Sequence, residues 1–110
     1  MLRHDYGNPA VMITENGCSD AFGPGPAVLD DGFRSQYLRR HLEAVKGAME
    51  AGSRIGGYFT WTLIDNWERD LGFTSKFGLV AMDRTTGVRT PKASYAWFKA
   101  LAESGALPVK

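Results

Sequence analysis

Residues that form disulfides or metal sites are scarce in this sequence. Its 110 residues include one cysteine, Cys18, and two histidines, His4 and His41. A single cysteine cannot form an internal disulfide, and the two histidines do not have a spacing typical of a metal site. We therefore predict no bound metal, and Cys18 is interpreted as a partly buried, inert thiol.

The chain also lacks an excess of charge of one sign. It has 13 lysines and arginines against 12 aspartates and glutamates, and no basic stripe with interleaved aromatic residues. This balance excludes the electrostatic footprint of a nucleic-acid-binding protein. Residues 1–9 contain no apolar run, so we expect neither a signal peptide nor a membrane span. The predicted location is cytoplasmic.

Alternating strands and helices are predicted by the pattern of apolar residues. Residues 10–14 and 55–63 are rich in β-branched and aromatic side chains, which is typical of buried strands. Apolar residues at spacings of three and four predict helices over residues 31–51 and 91–103. Asp30 and Asp31 are the candidate N-caps of the first helix, and Pro91 is expected in the first turn of the second.

The order strand, helix, strand, helix favours a parallel sheet with right-handed crossovers. A parallel pair is stable only when its faces and edges are covered, and four elements are too few to cover them. We therefore predict a single partial domain over residues 1–110, a piece of a larger α/β fold. The charged face of the first helix is interpreted as solvated, and it consists of Arg39, Arg40, Glu43, Lys46 and Glu50.

Glu15 lies at the end of the first predicted strand and is followed by the turn formers Asn16 and Gly17. Most glutamates in such a position are solvated turn residues, but barrel enzymes place catalytic groups at the carboxyl ends of their strands. The segment 64–77, after the second predicted strand, mixes charged residues with large aromatic residues. Loops of this composition are typical of functional sites.

Several motifs occur in a fixed order along the chain. Residues 14–17 read Thr-Glu-Asn-Gly, residues 61–68 read Trp-Thr-Leu-Ile-Asp-Asn-Trp-Glu, and residues 76–79 read Lys-Phe-Gly-Leu. From about Tyr6 to Phe98 the chain closely resembles the C-terminal region of glycoside hydrolase family 1, the family of β-glucosidases. In that family Thr-Glu-Asn-Gly ends strand seven, and Trp-Ser-Leu-x-Asp-Asn-x-Glu-Trp ends strand eight. Several spaced motifs in one order are specific.

The resemblance implies that the chain supplies the last two βα units, about a quarter, of a (β/α)8 TIM barrel. It implies retaining hydrolysis of β-glucosides or short oligosaccharides, with Glu15 as the nucleophile and with no cofactor or metal. A retaining enzyme also needs a carboxylic acid about 5 Å from the nucleophile. In the family this acid lies in an Asn-Glu-Pro tripeptide on strand four, and these 110 residues contain no such tripeptide.

The resemblance also implies sugar-binding roles. Trp61 matches the tryptophan that stacks beneath the glycone, although core packing is the alternative for a strand residue. Glu68 matches the glutamate that binds glycone hydroxyls, and Asp65 and Asn66 look like groups that position the loop. Phe77 resembles an aromatic residue lining the site, while a small hydrophobic cluster explains it nearly as well.

Arg69 is the main departure from the family pattern, which has tryptophan directly after the sugar-binding glutamate. A guanidinium adds charge and several donors, so we consider an anionic sugar as a hypothesis. The resemblance leaves two functions open. In the first, the chain is a fragment of a β-glucosidase, and this fragment does not contain the acid/base glutamate. In the second, it is an inactive remnant that binds sugar weakly or associates with the N-terminal part of the barrel.

Overall fold

The structure, a computed structural model, describes residues 2–20 and 25–107. Strands and helices alternate in its first half, and a hairpin precedes the last helix. In chain order the elements are α1 (Leu2–Asp5), β1 (Val11–Asn16), α2 (Gly32–Glu50), β2 (Ile55–Thr60), a 3-10 turn (Arg69–Leu71), β3 (Val80–Met82), β4 (Arg89–Pro91) and α3 (Ala93–Ser104).

Strands β1 and β2 pair in parallel, with helix α2 as the crossover between them. Strand β1 extends two residues beyond the predicted 10–14, because the carbonyl of Asn16 accepts a hydrogen bond from the Trp61 N–H at 2.9 Å. Strand β2 ends at Thr60 and not at residue 63. Beyond it the backbone pairs with a different segment, since the Thr62 N–H donates to Phe77 at 3.3 Å and the Leu79 N–H donates to Thr62 at 2.9 Å.

Helix α2 ends within one residue of the predicted 31–51 at each terminus, the ordinary uncertainty of helix boundaries. Leu38 lies at 0% exposure on its inner face, and α2 packs against α3. Gly52 follows with φ of 94° and donates its N–H to the carbonyl of Met49 at 2.8 Å. Asp31 occupies the N-cap position, but its side chain makes no capping hydrogen bond.

Pro91 lies in strand β4, and the prediction that it begins the last helix is wrong. Strands β3 and β4 form an antiparallel hairpin in which Val80 pairs with Pro91 and Met82 with Arg89. A proline is tolerated at the end of a short strand, where its missing N–H costs little. Helix α3 therefore begins at Ala93 and ends with the left-handed residue Gly105.

The two parallel strands are less buried than the sequence predicts. Met12 on β1 is 54% exposed and Phe59 on β2 is 58% exposed. Among the described residues, the buried apolar side chains lie instead on α2, in β3 and directly before β3, and they are Leu38, Leu79, Val80 and Ala81. In the described residues no helix is long and apolar enough to cross a membrane.

Candidate functional site

Glu15 lies one residue before the end of β1, and its side chain is exposed. Its neighbour Asn16 pairs with Thr60 at the end of β2. Because both strands run in the same direction, their carboxyl ends meet at one edge of the sheet. Among the described residues, no side chain forms a hydrogen bond with the Glu15 carboxylate. This carboxylate is therefore open to solvent at the edge where the loop after β2 begins.

Trp61 and Glu68 are brought together by that loop. The indole Nε1–H of Trp61 donates a hydrogen bond to Oε1 of Glu68 at 3.0 Å. The Glu68 N–H donates to the carbonyl of Gly72 at 2.7 Å, which closes the loop on itself. An ionised carboxylate can accept about four hydrogen bonds, so Glu68 keeps acceptor sites for a ligand. The peptide bond between Trp61 and Thr62 is cis.

The structure places Arg69 and Phe77 on the two arms of the same loop. Arg69 is exposed and has a φ of 31°, at the beginning of the 3-10 turn. Phe77 is half-buried, and its carbonyl accepts the Thr62 N–H. Arg69 directly follows Glu68 in the chain. Phe77 is thus connected to Trp61 through the backbone of Thr62, the next residue.

Gly17 allows the loop after β1 to approach Trp61 closely. A Cβ atom added at position 17 would overlap the carbonyl oxygen of Trp61. The contact is with backbone, which cannot rotate away as a flexible side chain can. The glycine of the Thr-Glu-Asn-Gly motif is therefore required sterically, because it lets the backbone after Glu15 approach Trp61, the first residue of the loop after β2.

We expect Gly17→Ala to destabilise the chain by about 1–3 kcal/mol, the range for inserting a methyl group into a packed site. Urea unfolding followed by circular dichroism measures the change. The matched control is Gly47→Ala in α2, where an added Cβ meets nothing within 4 Å. Because alanine is the better helix former, we expect this control to stabilise the chain by about 0.5–1 kcal/mol. Equal effects of the two substitutions would contradict the steric account.

Two tyrosines hold the amide side chain of Asn16. The Tyr58 hydroxyl donates to Oδ1 of Asn16 at 2.6 Å, and Nδ2 of Asn16 donates to the Tyr37 hydroxyl at 3.4 Å. Burial is the main cause that raises the pKa of Tyr58 from 10.0 to about 12, with Tyr37 and Cys18 adding to it. The neutral phenol of Tyr58 is thereby kept as a donor to the residue beside Glu15.

We expect a titration to alkaline pH to detect the raised pKa of Tyr58. A folded pKa of about 12 means that the folded chain keeps the Tyr58 proton when the unfolded chain, with a pKa of 10.0, has lost it. The stabilisation is complete below pH 10 and is lost as the pH rises from about 10 to 12. In an absorbance titration at 295 nm, the difference between wild type and Tyr58→Phe should have its midpoint near 12. A midpoint near 10 would contradict the assignment.

A buried ionic cluster lies below the site. Its carboxylates belong to Asp20, Asp31 and Asp65, and its cations to Arg34 and Lys92. Arg34 forms ion pairs with Asp20 and, at 2.7 Å, with Asp31. Lys92 lies 3.4 Å from Asp20 and 3.2 Å from Asp65.

The cluster also binds backbone groups of the loops. Asp65 accepts the Gly78 N–H at 2.7 Å, so it does position the loop after β2. Asp31 accepts the N–H of Ser94 at 2.7 Å and its hydroxyl at 2.6 Å, which ties α2 to the first turn of α3. Burying charges is costly unless they are paired and hydrogen-bonded. The charged side chains of this cluster are both paired and hydrogen-bonded, so the condition is met.

Sequence reasoning identified Asp65 but missed the rest of this cluster. One signal was available for Arg34, which precedes the fully buried Leu38 by four residues and so lies on the same face of α2. The burial of Asp20 and Lys92 had no local signal, because 72 residues separate these partners in the chain. Cys18, whose carbonyl contacts Arg34, is half-buried, and this burial raises the pKa of its thiol.

Relatives with similar sequences are plant enzymes. A benzoxazinyl glucoside β-D-glucosidase of Triticum aestivum, whose name places it in the chloroplast, is 48% identical over 101 residues. That match covers 89% of this chain and 18% of the enzyme. β-Glucosidase 38 of Oryza sativa is 44% identical over 107 residues, covering 94% of this chain and 21% of the enzyme. The chain thus spans about one fifth of the length of these relatives.

Solved structures agree on the fold. The psychrophilic β-glucosidase of Micrococcus antarcticus matches with a TM-score of 0.84 at 37% identity, over 94% of this chain and 22% of that enzyme. The family 1 β-glucosidase of Thermotoga maritima, in complex with isofagomine lactam, matches with a TM-score of 0.87 at 31% identity, over 97% of this chain and 25% of that enzyme.

These matches confirm the predicted fold, a C-terminal part of a TIM barrel that amounts to about a quarter of it. The uncovered faces of β1 and β2 follow from this, because the neighbouring barrel elements are not among these 110 residues. The profile of glycosyl hydrolase family 1 matches residues 1–106, nearly the whole chain. The chain therefore belongs to glycosyl hydrolase family 1.

Proposed function

We propose that these residues supply the nucleophile and part of the glycone site of a retaining β-glucosidase. The observation that carries the proposal is the hydrogen bond from Trp61 to Glu68, which lies in the loop after β2, beside the end of β1 where Glu15 is located. A flat indole beside an oriented carboxylate suits a sugar ring, since the π-face packs on C–H groups while the carboxylate accepts hydroxyl protons.

The reaction is a double displacement. A Glu15 oxygen bonds to the anomeric carbon while the bond from that carbon to the aglycone oxygen breaks, and the leaving oxygen takes a proton from a second carboxylic acid. Water then attacks the same carbon, gives its proton to that second carboxylate, and releases Glu15. Glu68 and Trp61 hold the glycone through both steps, and Phe77 lines the site. The substrate is a β-glucoside or short oligosaccharide.

The second carboxyl group has to come from another part of the barrel. Glu68 is not assigned this role, because by the family resemblance it binds glycone hydroxyls, and its carboxylate is already engaged by Trp61. By the family resemblance, the acid lies in an Asn-Glu-Pro tripeptide, and the printed sequence has none. We therefore expect hydrolysis only when the preceding βα units are present.

A barrel chimera tests this proposal. In it, the 110 residues replace the matching 22% of the Micrococcus antarcticus enzyme. We expect the chimera to hydrolyse p-nitrophenyl β-glucoside, and the 110-residue chain to leave it intact at equal concentration. Hydrolysis by the chain that disappears in Glu15→Gln would contradict the need for an outside acid. A folded chimera without activity would contradict the proposed function.

The alternative function is a remnant that associates with a complementary barrel part without catalysis. It is favoured by an apolar groove of about 350 Å³ beside β2, lined by Phe59, Leu63, Leu79 and Phe98 among others. Phe59 and Leu63 are 58% and 57% exposed, and contiguous exposed apolar surface is typical of an interface. Size exclusion of the chain mixed with the remaining part of the Micrococcus antarcticus barrel, followed by the same assay, separates the two functions.

Arg69 is proposed to favour an anionic group on the sugar. Arg69 is exposed and directly follows Glu68, and a hydrogen bond to a charged group contributes about 1.5–3 kcal/mol. We therefore expect Arg69→Trp in the barrel chimera to lower kcat/KM for 6-phosphoglucoside by about 10- to 100-fold. Its kcat/KM for glucoside and galactoside should change far less. If the unmodified chimera hydrolyses the neutral glucoside but not the 6-phosphoglucoside, this role of Arg69 is refuted.

A further inference from the structure

Arg34 is buried at 1% exposure near the beginning of α2, and its guanidinium is divided among several acceptors. Nε donates to Asp31 at 2.7 Å, and Nη2 pairs with Asp20. Nη1 donates to the carbonyl of Cys18. Cys18 comes three residues after Glu15, so the guanidinium is bonded directly to the loop that follows the proposed nucleophile.

The same guanidinium reaches the loop that carries Glu68. Nη1 lies 3.3 Å from the carbonyl of Phe77, and Nη2 lies 3.3 Å from the carbonyl of Lys76. The Phe77 carbonyl is also the acceptor of the Thr62 N–H at 3.3 Å. One side chain therefore links the backbone beyond Glu15 to the backbone that holds the residue after Trp61.

These contacts differ from those of an ordinary buried ion pair. Asp20 and Asp31 would satisfy the charge of Arg34 by themselves, yet three further bonds go to backbone carbonyls of two separate loops. Buried ion pairs add little net stability because desolvation offsets their attraction. The rigid fork of a guanidinium is instead suited to fixing several acceptors in one geometry.

We propose that Arg34 is a positioning residue that locks the loop after Glu15 to the loop carrying Trp61 and Glu68. The two carboxylates orient the guanidinium, and the guanidinium sets the distance between the loops. The relevance to sugar hydrolysis rests on the proposed function, whereas the locking itself is a property of the chain.

The test uses the 110-residue chain with Arg34→Met and Arg34→Lys. The first readout is the Trp61 indole N–H signal in a proton–nitrogen NMR spectrum, assigned by its loss in Trp61→Phe. The second is the rate at which Ellman's reagent labels Cys18, the single thiol of the chain. The surface control is Arg40→Met, which lies on the exposed side of α2. The stability control is Leu38→Ala, compared at equal folded fraction.

We expect Arg34→Met to shift or broaden the Trp61 signal and to speed Cys18 labelling by at least about tenfold, since the loops open without global unfolding. Arg34→Lys keeps the charge beside the two carboxylates but cannot bridge both loops. It should therefore shift the Trp61 signal in the same direction. Arg40→Met and Leu38→Ala should leave that signal in place.

The proposal would be overturned if both Arg34 variants had the same Trp61 signal and the same rate of Cys18 labelling as Leu38→Ala. Should Arg34→Met not fold, Arg34→Lys decides by the same criterion. Neither readout needs sugar or turnover, so the outcomes stay separable from the proposed function. Shifted signals with an inactive barrel chimera would refute the glucosidase proposal alone, and unchanged signals with an active chimera would refute the positioning role alone.

Discussion

Glu15→Gln in the barrel chimera should lower kcat for p-nitrophenyl β-glucoside by about 10⁴- to 10⁶-fold, the range observed when an enzyme loses a covalent nucleophile or its activating partner. Glutamine has nearly the same shape but no negative charge, so it cannot form the glycosyl ester. Because the substitution conserves the size of the side chain, we expect the variant to fold like the unmodified chimera. Circular dichroism of the variant verifies the fold.

Glu43→Gln is the matched control for this loss. Glu43 lies on the exposed face of α2 and has the same side chain, but it is far along the helix from the sheet edge that carries Glu15. We expect its kcat to equal that of the unmodified chimera. A Glu15→Gln rate within tenfold of the control would contradict a nucleophilic role for Glu15.

The largest expected change in stability comes from Asp31→Ala. Asp31 is 0% exposed, and its carboxylate accepts from Arg34 and twice from Ser94. Removing it leaves part of the Arg34 charge and the Ser94 N–H buried with fewer partners. Breaking a buried pair in this way costs about 3–5 kcal/mol, which is comparable to the whole stability of many small domains. Urea unfolding measures the shift.

Asp30→Ala separates this effect from the loss of one negative charge. Asp30 is adjacent, carries the same charge and is exposed. A surface substitution of this kind changes the free energy of unfolding by about 0.5 kcal/mol or less. If both variants unfold at the same urea concentration, the buried cluster does not stabilise the chain as its contacts indicate.

The parts of the fold that follow from local pattern were predictable. The apolar stripe of helix α2 is long enough to show which face of the helix is buried, and β-branched and aromatic residues indicate β1 and β2. The pairing of β3 with β4 was not predicted, because strands of three residues are too short to show a period of two. Pro91 was assigned to the helix for the same reason, as Thr-Pro alone fits either a strand end or a first helical turn.

Burial was harder to predict than secondary structure. Met12 and Phe59 have the composition of buried strand residues, but their exposure depends on barrel elements outside these 110 residues. Lys92 is the opposite case, a charged residue that is buried. A lysine is rarely buried without partners, and its partners Asp20 and Asp65 lie 72 and 27 residues away in the chain. Such pairs are set by tertiary structure, which a local pattern does not contain.

The candidate site was predicted more directly from the sequence motifs than from the order of strands and helices. The order of Glu15, Trp61 and Glu68 along the chain carried the family resemblance, and the structure adds the contact between Trp61 and Glu68. Arg34 belongs to no motif that sequence reasoning used. Its role depends on carbonyl groups, which every residue has, so that only the folded chain reveals which ones it binds.

Trapping the covalent intermediate would show whether Glu15 is the nucleophile. The probe is 2,4-dinitrophenyl 2-deoxy-2-fluoro-β-glucoside, whose leaving group needs no acid and whose fluorine slows release of the glycosyl-enzyme. Mass spectrometry of peptides from the treated barrel chimera should locate one fluoroglucosyl group on Glu15. A label on Glu68 or on another residue would contradict the assignment of Glu15 as the nucleophile, as would steady turnover with no labelled peptide.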